Sequence, residues 1–327
     1  MEEALGRSVA SWCPGATGVV GAVRLSGGAS QETWSFDILH PDGLIGAILR
    51  RAPQGYGAAP GRAAGLDAEA RLMQLAYDAG VPSPRVLHIL QPPDDLGTGF
   101  VMARVEGETI ARKILRDEKF ANARPLLARQ LGKVAAGIHG LAVSELPKLR
   151  RMTAAKELAE MEREYRGFDW PRPVFELALC WLADHDPGPS DEVTLVHGDF
   201  RHGNLIIGPD GVRAVLDWEL AHLGDPMEDL GWVCVNSWRF GEIDKPVGGF
   251  GTREELFAGY EAAGRRVDAK RVTFWEVMGT LRWGVMCCGM MQRFRIGPDH
   301  SMERAMIGRR ASETEIDLLR LLAPRGN

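Results

Sequence analysis

A chain of 327 residues, 45% apolar and 25% charged, has material for two lobes and a large buried core. Its formal net charge of −5 gives no electrostatic reason to expect nucleic acid or an anionic membrane as a partner. The five cysteines (Cys13, Cys180, Cys234, Cys287, Cys288) are odd in number and lack Cys-x-x-Cys spacing, which argues against a disulfide framework and for buried thiols in a reducing cytoplasm.

Residues 2–12 predict a short leading helix, too rich in acids and too poor in apolar residues for a signal peptide. Residues 19–26 and 33–40 alternate as strands around Gly27-Gly28-Ala29-Ser30, which on its own reads as a hairpin turn. Pro41-Asp42-Gly43 then turns the chain into a third strand, 44–51, ending in Arg50-Arg51. Residues 53–65 are rich in Gly, Pro and Ala and suit a link or lid. Residues 66–79 have helical spacing, with Leu72, Leu75 and Ala76 on one face and Gly80 as the stop. Strands follow at 85–90 and 100–105. From Gly107 onward the apolar period becomes helical, so a lobe boundary falls near 104–108, dividing 1–105 from 106–327.

Helices are expected at 123–141, 152–166 and 173–185, and His139 near the end of the first reads as a structural histidine that satisfies nearby backbone groups. The informative stretch comes next. Residues 195–204, Leu-Val-His-Gly-Asp-Phe-Arg-His-Gly-Asn, are followed by a short apolar run, a Pro209-Asp210-Gly211 turn and a strand ending at Asp217. Such a hairpin brings Asp199, Asn204 and Asp217 to one end. Two carboxylates and an amide converging there suit a hard divalent ion and the orientation of a hydroxyl. Four residues separate Asp199 from Asn204, as in the His-x-Asp-x-x-x-x-Asn loop of kinases, and Asp217-Trp218-Glu219 follows.

With these residues the chain resembles the aminoglycoside phosphotransferase and choline kinase-like family of small-molecule kinases, over nearly its whole length from Val19. The resemblance implies an α+β, bilobal protein-kinase-like fold. Its small N-lobe would hold an antiparallel sheet plus one helix, and its larger, mainly helical C-lobe would carry the catalytic hairpin. It implies ATP (GTP as an alternative) and Mg2+, with Asp199 handling the acceptor hydroxyl's proton and Asn204 and Asp217 ligating the metal. Gly27, Gly28 and Ser30 would cover the phosphates, and Arg50, standing where the family has lysine, would hold them with Glu69 as its partner. A plainer reading makes Arg50 and Arg51 a solvated pair on an edge strand. Ala103 to Val105 would be the adenine-binding hinge, with Met102 lining the pocket or filling the core. His197 would shape the loop, while Arg201 and His202 would reach phosphate or substrate.

Gly224-Asp225-Pro226-Met227-Glu228-Asp229 predicts a capping box opening a helix to about Ser237, with Asp225 or Asp229 bracing the catalytic loop. Helices at 253–263, 270–291 and 301–322 complete the chain. The most apolar of them is short for a membrane span and carries Arg282. Between 282 and 310 lie six arginines (282, 293, 295, 304, 309, 310) against Asp299 and Glu303. A polycationic aminoglycoside would want the opposite sign, so the acceptor is expected to be an anionic hydroxy acid or hydroxyacyl thioester. The expected state is a cytoplasmic monomer or homodimer that uses a small-molecule hydroxyl acceptor and no nucleic acid or membrane partner. Two alternatives stand beside this reading: a nucleotide-binding pseudokinase, suggested by Arg50, and a metal-dependent hydrolase built on His-x-Asp-x-x-His.

Overall fold

The structure is a computed structural model that describes residues 1–25, 31–53, 63–168, 170–297 and 300–323. It has the kinase-like fold: a sheet-based N-lobe leading into a helical C-lobe. The N-lobe runs α1 (Glu2–Trp12), β1 (Gly18–Leu25), β2 (Glu32–His40), β3 (Gly43–Arg51), α2 (Leu66–Asp78), β4 (Val86–Ile89) and β5 (Gly99–Ala103). The five strands form one antiparallel sheet in the order β1-β2-β3-β5-β4.

Strand alternation explains how the sheet is held on both faces. Phe36, Ile38, Ala47, Leu49 and Val101 pack with Leu5 and Val9 of α1 in one apolar cluster. Phe100 and Met102, on the opposite face of β5, join the larger cluster that includes Leu66, Ala70 and Met73 of α2. Those three α2 positions recur at helical spacing, so one stripe of the helix is buried. β3 is an inner strand with both arginines largely buried, which corrects the edge-strand reading of Arg50 and Arg51. Arg51 pairs with Glu32 at 2.9 Å.

The C-lobe continues with α3 (Ala111–Arg116), α4 (Arg124–His139), α5 (Ala154–Arg166), α6 (Pro173–Asp184), β6 (Thr194–Val196), β7 (Leu205–Gly208), β8 (Gly211–Val215), β9 (His222–Gly224) and α7 (Met227–Trp232). It ends with α8 (Arg253–Ala262), α9 (Ala269–Ile296), α10 (Met302–Gly308) and α11 (Ala311–Leu322). β7 and β8 form the expected hairpin, and β6 pairs with β9 beside it. The chain leaving β5 is fastened to that hairpin by reciprocal bonds between Glu108 and Ile207, of 2.9 and 3.0 Å. The N-lobe is thereby set directly over the Asp199 loop.

Three helix expectations change. The helix after Gly224 stops at Trp232 rather than Ser237, and Asp225 caps it through the Met227 N–H (3.0 Å). Glu228 does not fold back to complete a capping box, because it is committed to His222 and Arg282. The final helix is broken into α10 and α11, since Gly308 lies against Met291 of α9, where a Cβ would approach to 2.8 Å. α9 is largely buried from Val272 to Cys288, and among the described residues no helix is long and apolar enough to cross a membrane.

α4 and α8 cross closely, because glycine removes the spacer of a side chain. A Cβ on Gly132 would lie 2.0 Å from the Leu256 carbonyl oxygen, and one on Gly259 1.9 Å from that of Arg129. Gly259→Ala is expected to force the helices apart at a cost of about 1–3 kcal/mol, as overpacking does. Thermal unfolding checks this, at about 1.5 °C of midpoint per kcal/mol for a chain of 327 residues. An unchanged midpoint would contradict the close crossing.

Candidate active site

The loop from His197 to Asn204 is held by a buried carboxylate. Asp229 of α7 is fully buried and accepts the His197 N–H at 2.8 Å and the Gly198 N–H at 2.9 Å, while His139 reaches it from α4 at 3.0 Å. Burial alone would raise its pKa, but the hydrogen bonds from His139 and from the His197 N–H outweigh that and hold it below the usual carboxylate range. His139 also meets the Tyr260 hydroxyl at 2.8 Å, so it satisfies side chains rather than the backbone groups expected of it. Gly198 turns the loop at φ +80°, and a Cβ there would lie 2.6 Å from the Leu220 carbonyl, which makes glycine the residue that fits.

His197 links the two halves of the site. Its Nε2 donates to the Leu216 carbonyl at 3.0 Å and its Nδ1 accepts the Asp199 N–H at 3.2 Å. Burial lowers its pKa, in keeping with this neutral tautomer. The Leu216 N–H in turn bonds the Asn204 carbonyl at 2.8 Å. Asp217 follows in the left-handed conformation (φ 65°), one of the few conformations of its kind here outside glycine.

Asp199, Asn204 and Asp217 are therefore brought to one end of the hairpin. Asn204 Nδ2 donates to Asp199 Oδ2 at 2.6 Å and to the Asp199 carbonyl at 2.9 Å, which leaves its amide oxygen as an acceptor. Asp217 Oδ1 takes Arg50 Nη2 at 2.5 Å. The donor set fits Mg2+: an amide oxygen and one carboxylate, both hard, with phosphate oxygens and water needed to complete the shell. Among the described residues no group of three or more His, Cys, Asp and Glu side chains is arranged to hold a metal by itself.

Arg50 sits among three carboxylates, with its Nε 3.2 Å from Glu69 and its Nη2 3.7 Å from Glu219 in addition to Asp217. Burial pushes Glu69 up to about 8, and Asp217 and Glu219 add to this against the pull of Arg50. Gly27, Gly28 and Ser30 lie outside the described residues. In the expected hinge, the Ala103 N–H is taken by Arg85 and the Arg104 N–H by Gly46, so Val105 offers the segment's free N–H and C=O among the described residues. Met102 is buried in the core between β5 and α2.

Arg201 donates to Asp199 Oδ1 at 2.9 Å and lies over the Trp238 ring at 4.8 Å. His202 does not face this site. Its Nδ1 donates to the Trp238 carbonyl at 2.8 Å, and its ring lies 4.0 Å from that of Phe250. Trp232, which no sequence motif marks, donates its indole N–H to Asp199 Oδ1 at 2.8 Å. Arg282, expected on the acceptor surface, is instead buried, bonding the Gly198 carbonyl at 2.5 Å and Glu228 at 3.1 Å. Neither was legible from local sequence, because both act across elements.

Beyond Trp238 opens a cleft of about 710 Å³, lined by Arg112, Asn236, Phe240, Met306, Arg309 and Arg310 among others. Of the six arginines from 282 to 310, only Arg309 and Arg310 line it, and Arg295 stacks on Trp170 instead. The basic segment is thus not one continuous surface.

A family model described as the phosphotransferase enzyme family (APH) matches residues 21–266. The chain belongs to this family. In an APH-family chain, the Asp199 loop and the Asp217 hairpin fall within the matched segment. Acyl-CoA dehydrogenase family member 10 of Mus musculus is 31% identical over 58% of this chain, and the Arabidopsis thaliana "probable acyl-CoA dehydrogenase IBR3" is 27% identical over 85%. The chain spans 18% and 37% of their lengths, respectively. Among solved structures, a Ralstonia eutropha protein assigned by name to the aminoglycoside phosphotransferases superposes with a TM-score of 0.75 at 22% identity, covering 98% of this chain and 97% of that one. Spectinomycin phosphotransferase, solved with ADP and spectinomycin, gives 0.64 at 15% identity, covering 98% and 99%. At these identities the superpositions establish the fold.

Burial drives the His202 pKa from 6.5 down to about 4. The native ring stays neutral where the unfolded chain takes up a proton, so stability is lost as pH falls from 6.5 toward 4. Urea unfolding at pH 7 and pH 4 is expected to show a loss smaller in His202→Gln than in wild type by on the order of 3 kcal/mol. Equal losses would contradict this placement of the ring.

Proposed function

We propose that this chain moves the γ-phosphoryl group of ATP, with GTP as an alternative donor, to a hydroxyl of an anionic hydroxy acid or hydroxyacyl thioester. Residues 1–105 would bind the nucleotide, and 106–327 would carry catalysis and the acceptor. The observation that carries phosphoryl transfer is the convergence of Asp199, Asn204 and Asp217 beside Arg50. The free thiols suit a cytoplasmic setting.

In this reading Asp199 accepts the hydroxyl proton and aims the nucleophile. The Asn204 amide oxygen and the Asp217 carboxylate would hold magnesium, which would supply charge neutralisation on the phosphates. Arg201, already beside Asp199, is placed to meet charge on the transferred group, and Arg50 to hold the phosphates of the bound nucleotide. Val105 would pair with the adenine edge, with Met102 in the pocket wall and Ala103 beside it. Gly27, Gly28 and Ser30 would close over the phosphates.

For the acceptor, the cleft beyond Trp238 supplies four arginines (112, 309, 310, 320) against three acids (Glu303, Glu313, Asp317). Arg310 is paired with Glu313 and Arg320 with Asp317, which leaves Arg112 and Arg309 without an ion pair among the described residues. Two free cations beside Phe240, Met306 and Ile316 suit a ligand that is anionic at one end and aliphatic at the other. The acyl-CoA dehydrogenase names of the longer relatives point the same way, toward acyl thioester chemistry.

Transfer of labelled phosphate from ATP to a panel of hydroxy acids, hydroxyacyl thioesters and aminoglycosides tests this reading. The anionic acceptors are expected to be phosphorylated, and a preference for aminoglycosides would overturn it. With the best acceptor, Asp199→Asn is expected to lower kcat by about 10²–10⁴-fold. Arg50→Met should raise KM for ATP by about 10–100-fold, the equivalent of one charge-assisted hydrogen bond. An unchanged KM would remove Arg50 from nucleotide binding.

A further inference from the structure

Asp199 receives three side-chain donors, and they differ in what else they are needed for. Arg201 Nε and Trp232 Nε1 both reach Oδ1, at 2.9 and 2.8 Å, while Asn204 Nδ2 reaches Oδ2 at 2.6 Å. On the reading above, Arg201 is drawn toward phosphate, so its bond is renegotiated when the site fills, and Asn204 serves the metal through its amide oxygen as well as Asp199 through its Nδ2. Trp232 has no such second task. It is 3% exposed and is held in place by the Arg282 guanidinium over its ring at 4.1 Å and by the Trp238 ring at 5.2 Å.

We infer that Trp232 is the positioning residue that fixes the Asp199 carboxylate through the catalytic cycle, with Arg282 as its anchor. This rests on the phosphotransfer reading and adds a residue to it. Arg282 is buried and bonds both the Gly198 carbonyl and Glu228, so one side chain of α9 holds the backbone next to Asp199 and the ring that orients its carboxylate. The donor type matters. An indole N–H donates but carries no charge and accepts nothing, so it fixes a carboxylate without cancelling the charge a base requires. With Oδ1 taking two donors and Oδ2 one, Oδ2 keeps capacity to accept the proton of an incoming hydroxyl.

The test uses the full chain and Mg-ATP hydrolysis with water as acceptor, comparing wild type, Asp199→Asn and Trp232→Phe. Phenylalanine keeps an aromatic ring for Arg282 and Trp238 and removes the N–H donor together with the second ring of the indole, so the split between kcat and KM separates lost positioning from lost packing. Expected is a kcat lowered by about 10–100-fold with the KM for ATP unchanged, as displacement of a catalytic group produces. Wild-type kcat in Trp232→Phe, with Asp199→Asn inactive, overturns this inference and leaves the phosphotransfer reading standing. No turnover by the wild type overturns both. Should Trp232→Phe not fold, indole N–H resonances of wild type and Asp199→Ala decide the matter. One hydrogen-bonded resonance is expected to move upfield when the carboxylate is removed, and an unchanged set of indole resonances overturns the inference.

Discussion

The site depends on one buried charge. Asp229 lies at the junction of α4, α7 and the Asp199 loop, and its two oxygens take two consecutive loop N–H groups and the His139 ring. A carboxylate in that position is costly unless its lone pairs are filled, and here they are. Because the bonds fall on His197 and Gly198, they set the backbone immediately before Asp199. Everything downstream inherits that geometry: the His197 bridge to Leu216, the Leu216 bond to Asn204, and the turn that presents Asp217.

Around this fixed loop the more adaptable parts are arranged in two directions. Toward the N-lobe, Arg50 is surrounded by Glu69, Asp217 and Glu219, and burial, helped by the neighbouring carboxylates, makes Glu69 hard to ionise. Such a cluster is suited to a partner that brings its own cation and anion together, since magnesium would relieve the repulsion and phosphate would compete for the guanidinium. Toward the C-terminal helices, Trp238 packs at a tilt against Trp232 and Trp283 and carries Arg201 over its ring. A lysine at position 50 would offer a point charge; arginine instead contacts several carboxylates at once through its planar fork.

The fold was legible because its signals are local. Alternation marked the strands, helical spacing marked α1, α2 and α4 through α6, and the fixed interval from Asp199 to Asn204 to Asp217 marked the hairpin. What escaped was set by distant packing. Six-residue α3 is too short for a period to register, and the break between α10 and α11 follows from the contact of Gly308 with α9. No motif marks Trp232, and Arg282 reads only as one of six arginines between 282 and 310. Their roles arise only when α7 and α9 fold against the loop, as with Glu228, whose capping position gives no hint of its pairing with His222. The histidine in the loop misled for a similar reason: its spacing suited a ligand, but Phe250 and the Trp238 carbonyl hold it away from the carboxylates.

If Asp217 and Asn204 together form a magnesium-dependent nucleotide site, Mg-ATP must stabilise the folded chain through them. The most direct measurement is thermal unfolding of the wild type and Asp217→Ala with and without Mg-ATP. At a hundredfold excess over Kd the wild type should gain about 2.7 kcal/mol and its midpoint should rise, whereas Asp217→Ala should show little or no gain. No rise in the wild type at saturating Mg-ATP, or an equal rise in both proteins, would contradict the account.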